Sequence, residues 1–288
     1  MKVLVTGSSG RLGPEVVAHL SRKGHEVRAM DLKRAPGLEC REFHFGDVTD
    51  LMAVRRAVDG MDAVVHLGGR AGNSPWDPQN VLQINVMGTY HVLKAAQESG
   101  VKKMVFASSE CALGYAMGHW PKEKPFPIEY FPIDEQHPDW PTSEYGLSKV
   151  MGEELCKAYT DAHGIQTISL RICTIVLPGE YSTWVGRQNR PENWGNMWAY
   201  LDVRDAAEGF RLAVENENLS HEVFYMTAST SGVSTPAEEL VARFFPHVKK
   251  VSPDLKGDCP IISSDKARRL LGFAPQHTWQ SEGACAGG

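Results

Sequence analysis

The first thirteen residues constrain the fold of this chain more than any other stretch. A run of β-favouring residues, Val3-Leu-Val-Thr6, leads into Gly7, Gly10 and Gly13, which are spaced three residues apart. An amphipathic helical pattern follows across Pro14–Arg22. This order predicts a strand, a tight turn and a helix N-terminus. The N–H groups and the helix dipole at such a turn favour a bound pyrophosphate.

Asp31 extends this interpretation to a dinucleotide. It ends a second strand pattern, eighteen residues beyond Gly13, near the separation at which an acidic side chain binds the adenosine ribose. Its charge disfavours a 2′-phosphate and favours NAD, although Lys33 and Arg34 follow closely and leave NADP open. The alternatives are a glycine turn without a ligand and an Asp31 that only caps a turn.

Alternating strand and helix patterns across 288 residues predict an α/β fold, a doubly wound parallel sheet of the Rossmann type with a small C-terminal substrate-binding elaboration. We expect a nucleotide-binding core over 1–175 that includes the Tyr145/Lys149 helix. Residues 176–281 would complete the sheet and form the substrate lobe, and 282–288 would be a disordered tail.

Composition excludes several other classes of protein. Net charge is −5 with scattered Lys and Arg, so we expect no nucleic-acid partner. The chain has no run of eighteen apolar residues and enters a strand at once, so we expect no membrane span, no signal peptide and a cytoplasmic protein. Its six cysteines form no CxxC pair, which predicts reduced thiols and no metal site.

Further candidate residues follow the predicted strands. Asp47 follows the strand pattern Cys40–Gly46 and either accepts from an adenine amino group or caps a turn, and Asp50 is expected to cap the next helix. Small residues Gly68 and Gly69 follow the buried run Asp62–Leu67. A long helix is predicted over Asp77–Gln97. It contains Asn85, whose amide must bond to backbone or to groups near the site.

A candidate catalytic set lies further along the chain. Tyr145 and Lys149 are four residues apart, so a helix places both on one face. An ammonium beside a phenol favours the phenolate and lowers the pKa of Tyr145, which then exchanges a proton with a substrate hydroxyl. Ser109, at the end of the strand Lys103–Ser109, would hold the same oxygen. On spacing alone, a Tyr and a Lys four residues apart are more commonly a surface pair than a catalytic one.

Two stretches are expected to be loops. Residues 115–142 contain six prolines and are predicted to cross near the site without regular structure. Beyond Pro178 the pattern becomes a loop rich in tryptophan and arginine. Arg187 and Trp198 are candidates there for substrate contact, with a packed cover over the sheet as the alternative.

The ordered motifs of the first 175 residues resemble those of the extended short-chain dehydrogenase/reductases, the NAD-dependent epimerase/dehydratase group. The matching stretches are Thr6–Gly13, Gly46-Asp47, His66–Gly69, Asn85–Thr89, Ser108-Ser109, Pro132–Glu135 and Tyr145–Lys149. The resemblance implies a Rossmann fold and a catalytic set of Ser109, Tyr145 and Lys149. It also implies homodimers that pair the helices over 77–97 and 143–163. The expected cofactor contacts are Gly7, Ser9, Gly10, Arg11, Leu12, Gly13, Asp31, Asp47, Val48, Leu67, Gly68, Gly69, Asn85, Tyr145 and Lys149.

The chain departs from the nucleotide-sugar epimerases after the arginine of one strand, where it carries Arg171-Ile-Cys-Thr174 instead of an aromatic residue and asparagine. This segment is more similar to the uronate dehydrogenases, although Glu110 and Cys111 stand where those enzymes carry asparagine and histidine. The substrate candidates are Glu110, Thr174, Arg187 and Trp198.

The main hypothesis is an NAD-dependent oxidoreductase or epimerase that acts by hydride transfer on a secondary alcohol of a sugar, sugar acid or sugar derivative. The first alternative is a nucleotide-sugar 4-epimerase or dehydratase with tightly held NAD. The second is a non-catalytic protein that senses NAD(P).

Overall fold

The strands of the computed structural model follow the predicted alternation. The structure describes residues 1–70, 77–115 and 125–284, without the side chains of 78, 185–188, 283 and 284. In chain order the strands are β1 (Lys2–Thr6), β2 (Glu26–Asp31), β3 (Glu42–Phe45), β4 (Ala63–His66), β5 (Lys103–Ser109), β6 (Tyr130–Phe131), β7 (Gln166–Ile172), β8 (Thr174–Val176), β9 (Tyr200–Asp202), β10 (His221–Met226) and β11 (Lys250–Val251).

Ten α-helices are found among the described residues. They are α1 (Gly13–Arg22), α2 (Leu51–Val58), α3 (Pro78–Leu82), α4 (Gly88–Glu98), α5 (Glu144–His163), α6 (Tyr181–Gln188), α7 (Val203–Glu215), α8 (Ala237–Phe244), α9 (Asp265–Leu271) and α10 (Trp279–Ala284). In this part of the chain no helix is long and apolar enough to span a bilayer.

Seven strands form one parallel sheet in the order β10-β7-β5-β4-β1-β2-β3. From β1 the chain proceeds outward through β2 to β3, then crosses back to add β4 on the other side of β1. In open α/β sheets, ligands bind outside the carboxyl ends of the strands where the direction of winding reverses. The predicted Rossmann sheet is therefore confirmed, and its ligand crevice lies at the ends of β1 and β4.

Two helical layers cover the sheet because β1 is apolar on both faces. Val3 and Val5 pack in a cluster with α1 and α7, whereas Leu4 between them packs in a cluster with α2 and α4. This alternation is the two-residue period of a strand. A third cluster joins buried residues within 111–115 and 126–133 to Cys173 and to residues within 197–262.

Four predicted elements differ from the structure. The loop expected over 115–142 contains the two-residue strand β6, while residues 116–124 lie outside the described residues. The helix expected over 77–97 is interrupted by a π-helical turn at Gln83–Met87. The loop expected beyond Pro178 contains α6, whose buried Tyr181 and Trp184 are too few to show a helical period in the sequence. Glu282, assigned to a disordered tail, lies in α10 and pairs with Arg204 at 2.9 Å, while 285–288 lie outside the described residues.

Candidate active site

The glycine turn closes directly onto the end of β4. Gly7 has φ +67°, and a Cβ there would lie 2.6 Å from the nitrogen of Gly68. A Cβ on Gly13 would lie 2.4 Å from the carbonyl of Ser8. Gly10 differs because a Cβ there would meet only the oxygen of Gly7, at 3.3 Å. The turn therefore requires Gly7 and Gly13 for its own packing, while the open face of Gly10 fits the approach of a pyrophosphate.

Asp31 is held at the mouth of this turn by backbone donors. One carboxylate oxygen accepts from the N–H of Ser9 at 2.9 Å and the other from the N–H of Leu32 at 2.7 Å. The hydroxyl of Ser9 accepts in turn from the N–H of Ala35 at 2.9 Å. Each oxygen of Asp31 keeps lone pairs for a further donor. Capping the turn and binding a ribose are therefore compatible roles for this carboxylate.

The loops after β3 and β4 form the next part of the crevice. Val48 is buried between two glycines. A Cβ added to Gly68 would lie 2.8 Å from one of its methyl groups, and a Cβ added to Gly88 would lie 2.7 Å from the other. Asp47 accepts from the N–H of Thr49 at 2.8 Å. Asp50 caps α2, as predicted, by accepting from the N–H groups of residues 52 and 53. An adenine contact at Asp47 stays a prediction.

Asn85 links the end of β4 to the helix that carries Tyr145. Asn85 lies within the π-helical turn. Its side-chain oxygen accepts from the N–H of Arg70 at 2.7 Å, and its side-chain nitrogen donates to the hydroxyl of Ser148 at 2.9 Å. Ser148 donates onward to the carbonyl of Tyr145 at 2.7 Å. The buried amide thus bonds to backbone and to the candidate catalytic helix together. The extra residue of the π-turn places Asn85 toward Gly69, where a Cβ would lie 3.0 Å from its oxygen.

Ser109, Tyr145 and Lys149 meet at the carboxyl edge of the sheet. Ser109 lies close enough to the hydroxyl of Tyr145 to act on the pKa of that phenol, and the hydroxyl of Ser109 accepts from the N–H of Cys111 at 3.2 Å. The ammonium of Lys149 donates to the carbonyl of Ala107 at 2.7 Å and lies 5.5 Å from the centre of the Tyr145 ring. A Cβ on Gly69 would lie 3.9 Å from the Nζ of Lys149, so the fold brings a phenol, a hydroxyl and an ammonium together at the loop that packs against the glycine turn.

Burial controls the titration of these groups in the chain alone. It raises the pKa of Tyr145, with further increases from Cys111 and Glu110. Burial also lowers the pKa of Lys149 to about 8. The lowered pKa expected for Tyr145 is therefore wrong for the chain by itself, because desolvation of the phenolate outweighs the attraction of the neighbouring ammonium.

Comparison with known proteins assigns the family. The family model described as the NAD dependent epimerase/dehydratase family matches residues 3–226 of this chain. The chain belongs to this family. The resemblance noted in the sequence is confirmed, and NAD is the cofactor of the family. The open Gly10 face and the anchored Asp31 fit that cofactor, and the chain is an NAD-dependent enzyme of the extended short-chain dehydrogenase/reductase type.

Two curated relatives and one solved structure illustrate the match. An NAD-dependent glucose-6-phosphate dehydrogenase of Haloferax volcanii is 31% identical, over 95% of this chain and 92% of its own length. A uronate dehydrogenase of Pseudomonas syringae pathovar tomato is 30% identical, over 78% of this chain and 73% of its own. A short-chain dehydrogenase/reductase superfamily protein of Agrobacterium tumefaciens with bound NAD is 26% identical, with a TM-score of 0.75 and coverage of 99% and 96%.

In this family member, the substrate candidates fall in different environments. Glu110 is buried and contacts the hydroxyls of Ser109 and Thr174. Trp198 is also buried, donates from its indole to the carbonyl of Pro191 at 3.1 Å and packs on Phe244, which fits the packed-cover interpretation. The backbone of residue 187 lies in α6, but its side chain lies outside the described residues.

The remaining cofactor candidates also lie at this edge. Leu12 and Leu67 are half-buried and pack against the cluster of α1 and α7. The guanidinium of Arg11 binds the carboxylate of Glu180 and donates to the carbonyl of Ile175 at 3.0 Å. Arg11 thus bridges the glycine turn to the segment after β8, a contact between residues too distant in the sequence to predict.

A buried ionic network that lies beside the site was not predicted from the sequence. Arg171 donates to Glu153 at 2.9 and 2.7 Å and to Asp139 at 2.8 and 2.5 Å. Ser108, next to the catalytic candidate Ser109, donates to Glu153 at 2.5 Å. The one signal was an arginine between Leu170 and Ile172 in strand β7, because a buried cation needs anionic partners. This network ties the ends of β5 and β7 to α5.

Proposed function

We propose that this chain transfers hydride between NAD and a secondary alcohol of a sugar, sugar acid or sugar derivative, with Ser109, Tyr145 and Lys149 around the reacting group. The observation that supports this best is the meeting of these three side chains beside the glycine turn. The names of the similar proteins, a glucose-6-phosphate dehydrogenase and a uronate dehydrogenase, support the sugar substrate.

Each of the three residues has a separate task in this proposal. NAD, when bound, supplies the hydride acceptor and a positive ring. Tyr145 takes the proton of the substrate hydroxyl, and Ser109 holds the same oxygen by a hydrogen bond. Lys149 has three donors, of which one bonds to Ala107. We assign another donor to the nicotinamide ribose, so that Lys149 positions the cofactor and favours the Tyr145 phenolate.

The cofactor lies along the crevice in this proposal. Gly7, Gly10 and Gly13 form the turn for its pyrophosphate, with Ser9, Arg11 and Leu12 beside it. Asp31 accepts from the adenosine ribose, and Asp47 and Val48 flank the adenine. Leu67, Gly68, Gly69 and Asn85 line the path toward Tyr145.

A substrate panel tests the proposal. Free sugars, sugar acids, sugar phosphates and nucleotide sugars are each incubated with NAD or NADP, and both absorbance at the NADH band and product identity are recorded. Steady NADH formation with a free sugar, sugar phosphate or sugar acid supports net oxidation. Absence of any conversion, despite measured NAD binding, would contradict the proposal and favour a non-catalytic NAD(P)-sensing protein.

A nucleotide-sugar 4-epimerase or dehydratase is the second candidate, because the matched family includes epimerases and dehydratases. Such an enzyme returns the hydride to an intermediate and holds its NAD tightly. The same panel then gives an altered nucleotide sugar with no net NADH. Release of NAD from the purified, denatured protein would support this candidate further.

We also propose a cytoplasmic homodimer. Met87, Leu147 and Met151 lie on or next to α4 and α5 and are 42, 40 and 40% exposed, which favours burial against a second copy. The described cysteines are free thiols, as is usual in a reducing compartment. Light scattering of the purified chain tests the dimer. Met151→Glu is expected to shift it to monomer, and a monomeric wild type would contradict the proposal.

A further inference from the structure

The carboxyl group of Glu110 lies against the hydroxyl proposed to hold the substrate oxygen. Glu110 follows Ser109 directly and is only 5% exposed. Its Oε2 accepts from the hydroxyl of Ser109 at 3.3 Å, and its Oε1 accepts from the hydroxyl of Thr174 at 3.5 Å. Ser109 in turn lies close enough to the hydroxyl of Tyr145 to act on its pKa. The carboxyl group is therefore one hydrogen bond away from the group that would bind the reacting oxygen.

The titratable groups that face Glu110 carry no positive charge. Cys111 and Tyr115 come from its own turn, Tyr145 from α5 and Cys173 from the end of β7, and each interacts unfavourably with an ionised Glu110. Each of these groups is neutral when protonated and negative when ionised. Two cations of the site have other partners: Lys149 donates to the carbonyl of Ala107, and Arg171 pairs with two carboxylates.

A second polar group in this cluster lacks a partner. The hydroxyl of Tyr115 is buried and has no hydrogen-bond partner among the described residues. Tyr115 packs in the same cluster as Cys111, the residue after Glu110. Burial raises the pKa of Tyr115, and Glu110 raises it further, as expected for neighbouring groups. A buried hydroxyl without a partner is unfavourable, so this one points to a ligand with a polar, hydrogen-bonding surface.

A third contact fixes the position of this cluster. The side-chain nitrogen of Asn196 donates to the hydroxyl of Thr174 at 3.1 Å and to the carbonyl of Ala199 at 3.1 Å. Thr174 is therefore held between Asn196 and Glu110. This arrangement keeps the carboxyl group directed at the end of β5 rather than free to turn away.

We propose that Glu110 is a specificity-determining residue, which accepts a hydroxyl of an uncharged sugar and disfavours a substrate carboxylate near the reacting carbon. This inference rests on the proposed function. It narrows the substrate class to sugars that carry no charged group near the reacting carbon. A second carboxylate here would face Glu110 in a poorly solvated region, where like charges repel. Lys149 is the cation of this site, and the proposed function commits it to Ala107 and the nicotinamide ribose. A hydroxyl would instead donate to Glu110 and accept from Tyr115.

Matched sugars that differ only in charge test the inference. We compare kcat/KM for galactose with galacturonate, and for glucose with glucuronate, at pH 8.5 with saturating NAD. The wild type is expected to favour the neutral sugar at least about tenfold. Glu110→Gln is expected to reduce this ratio at least about fivefold, mainly through KM of the acid. Glu239→Gln, which removes an exposed carboxylate on α8, is expected to leave the ratio unchanged.

A pH series on the wild type gives the same test without a substitution, in case Glu110→Gln does not fold. Burial raises the pKa of Glu110 to about 7, so the group is protonated below that pH while the sugar acids stay ionised. The relative kcat/KM of the acid is expected to rise as pH falls from 7.5 to 6, a range in which Lys149, with a pKa of about 8, is already mostly protonated. Glu110→Gln, if it binds NAD normally, should not show this rise.

Two results separate the inference from the function on which it rests. Equal use of acid and neutral sugar by the wild type at pH 8.5, or an unchanged ratio in a folded Glu110→Gln, would overturn the specificity role alone. No NADH formation from any of the four sugars, with NAD binding intact, would overturn the role of Glu110 as a determinant for these substrates. If the wider substrate panel also gave no conversion, the proposed function would fall with it.

Discussion

The ammonium of Lys149 lies 5.5 Å from the centre of the Tyr145 ring and points past it to the carbonyl of Ala107, at 2.7 Å. The two side chains share one face of α5 because they are four residues apart. Lys149 is buried and Tyr145 is partly buried. This burial raises the pKa of Tyr145 and lowers that of Lys149 to about 8. Both pKa shifts disfavour charge at this position, which makes the pair a testable candidate for proton transfer.

Replacement of Tyr145 by phenylalanine is expected to lower kcat at least about 10²-fold, because the variant has no group that exchanges the substrate proton. The ring remains, so NAD affinity measured by calorimetry should stay unchanged. Tyr159→Phe on the same helix is the control and should keep its activity. Comparable kcat in Tyr145→Phe and the wild type would remove Tyr145 from the mechanism.

Lys149→Met is expected to stabilise the cofactor-free chain while it abolishes turnover. The pKa of Lys149 falls from 10.5 to about 8 on folding, so the unfolded chain binds more protons between these values and stability rises with pH there. At pH 7 the buried charge of Lys149 is unfavourable, so its removal stabilises the fold, while loss of the hydrogen bond to Ala107 destabilises it. The net effect should raise the free energy of unfolding by about 1–2 kcal/mol. Urea unfolding at pH 7 and pH 10 measures this gain, which should shrink at pH 10. A variant less stable than the wild type at pH 7 would contradict the argument.

Alanine substitutions in the glycine turn should separate folding from cofactor binding. Gly13→Ala places a Cβ 2.4 Å from the carbonyl of Ser8, so α1 must move and the chain should unfold at lower urea. Gly10→Ala meets only the oxygen of Gly7, at 3.3 Å. It should nearly keep wild-type stability and bind NAD at least about tenfold more weakly, since the methyl group occupies the face assigned to the pyrophosphate. Unchanged NAD affinity in Gly10→Ala would contradict that assignment.

Arg171→Met is expected to destabilise the fold by about 3–5 kcal/mol at pH 7, because it leaves the carboxylates of Glu153 and Asp139 without their cation. Burial already raises the pKa of Asp139, so the loss should diminish at lower pH as this group becomes protonated. Chemical unfolding at pH 7 and pH 5 measures both effects. Arg243→Met, which removes a surface pair with Glu192, is the control and should barely change stability. Equal stabilities for the two variants would argue against the network.

The local features of the site could be predicted because neighbours in the sequence determine them. The strand, glycine turn and helix of residues 2–22 and the spacing of Tyr145 and Lys149 depend on backbone periodicity within a few residues. Asp50 as the cap of α2 is a similar case. Steric and hydrogen-bonding rules of this range operate before the chain is compact, so they can be read from the sequence.

The sequence by itself determined the Rossmann sheet, the place of the cofactor turn and the identity of the candidate catalytic set. Only the tertiary structure decided which side chains surround that set. The contacts of Glu110 with Thr174, of Arg171 with Asp139 and of Arg11 with Glu180 join residues that are 64, 32 and 169 positions apart. Such pairs depend on strand order and on how loops pack over the carboxyl edge. No local periodicity encodes that information, and burial then shifts the pKa values of the groups brought together.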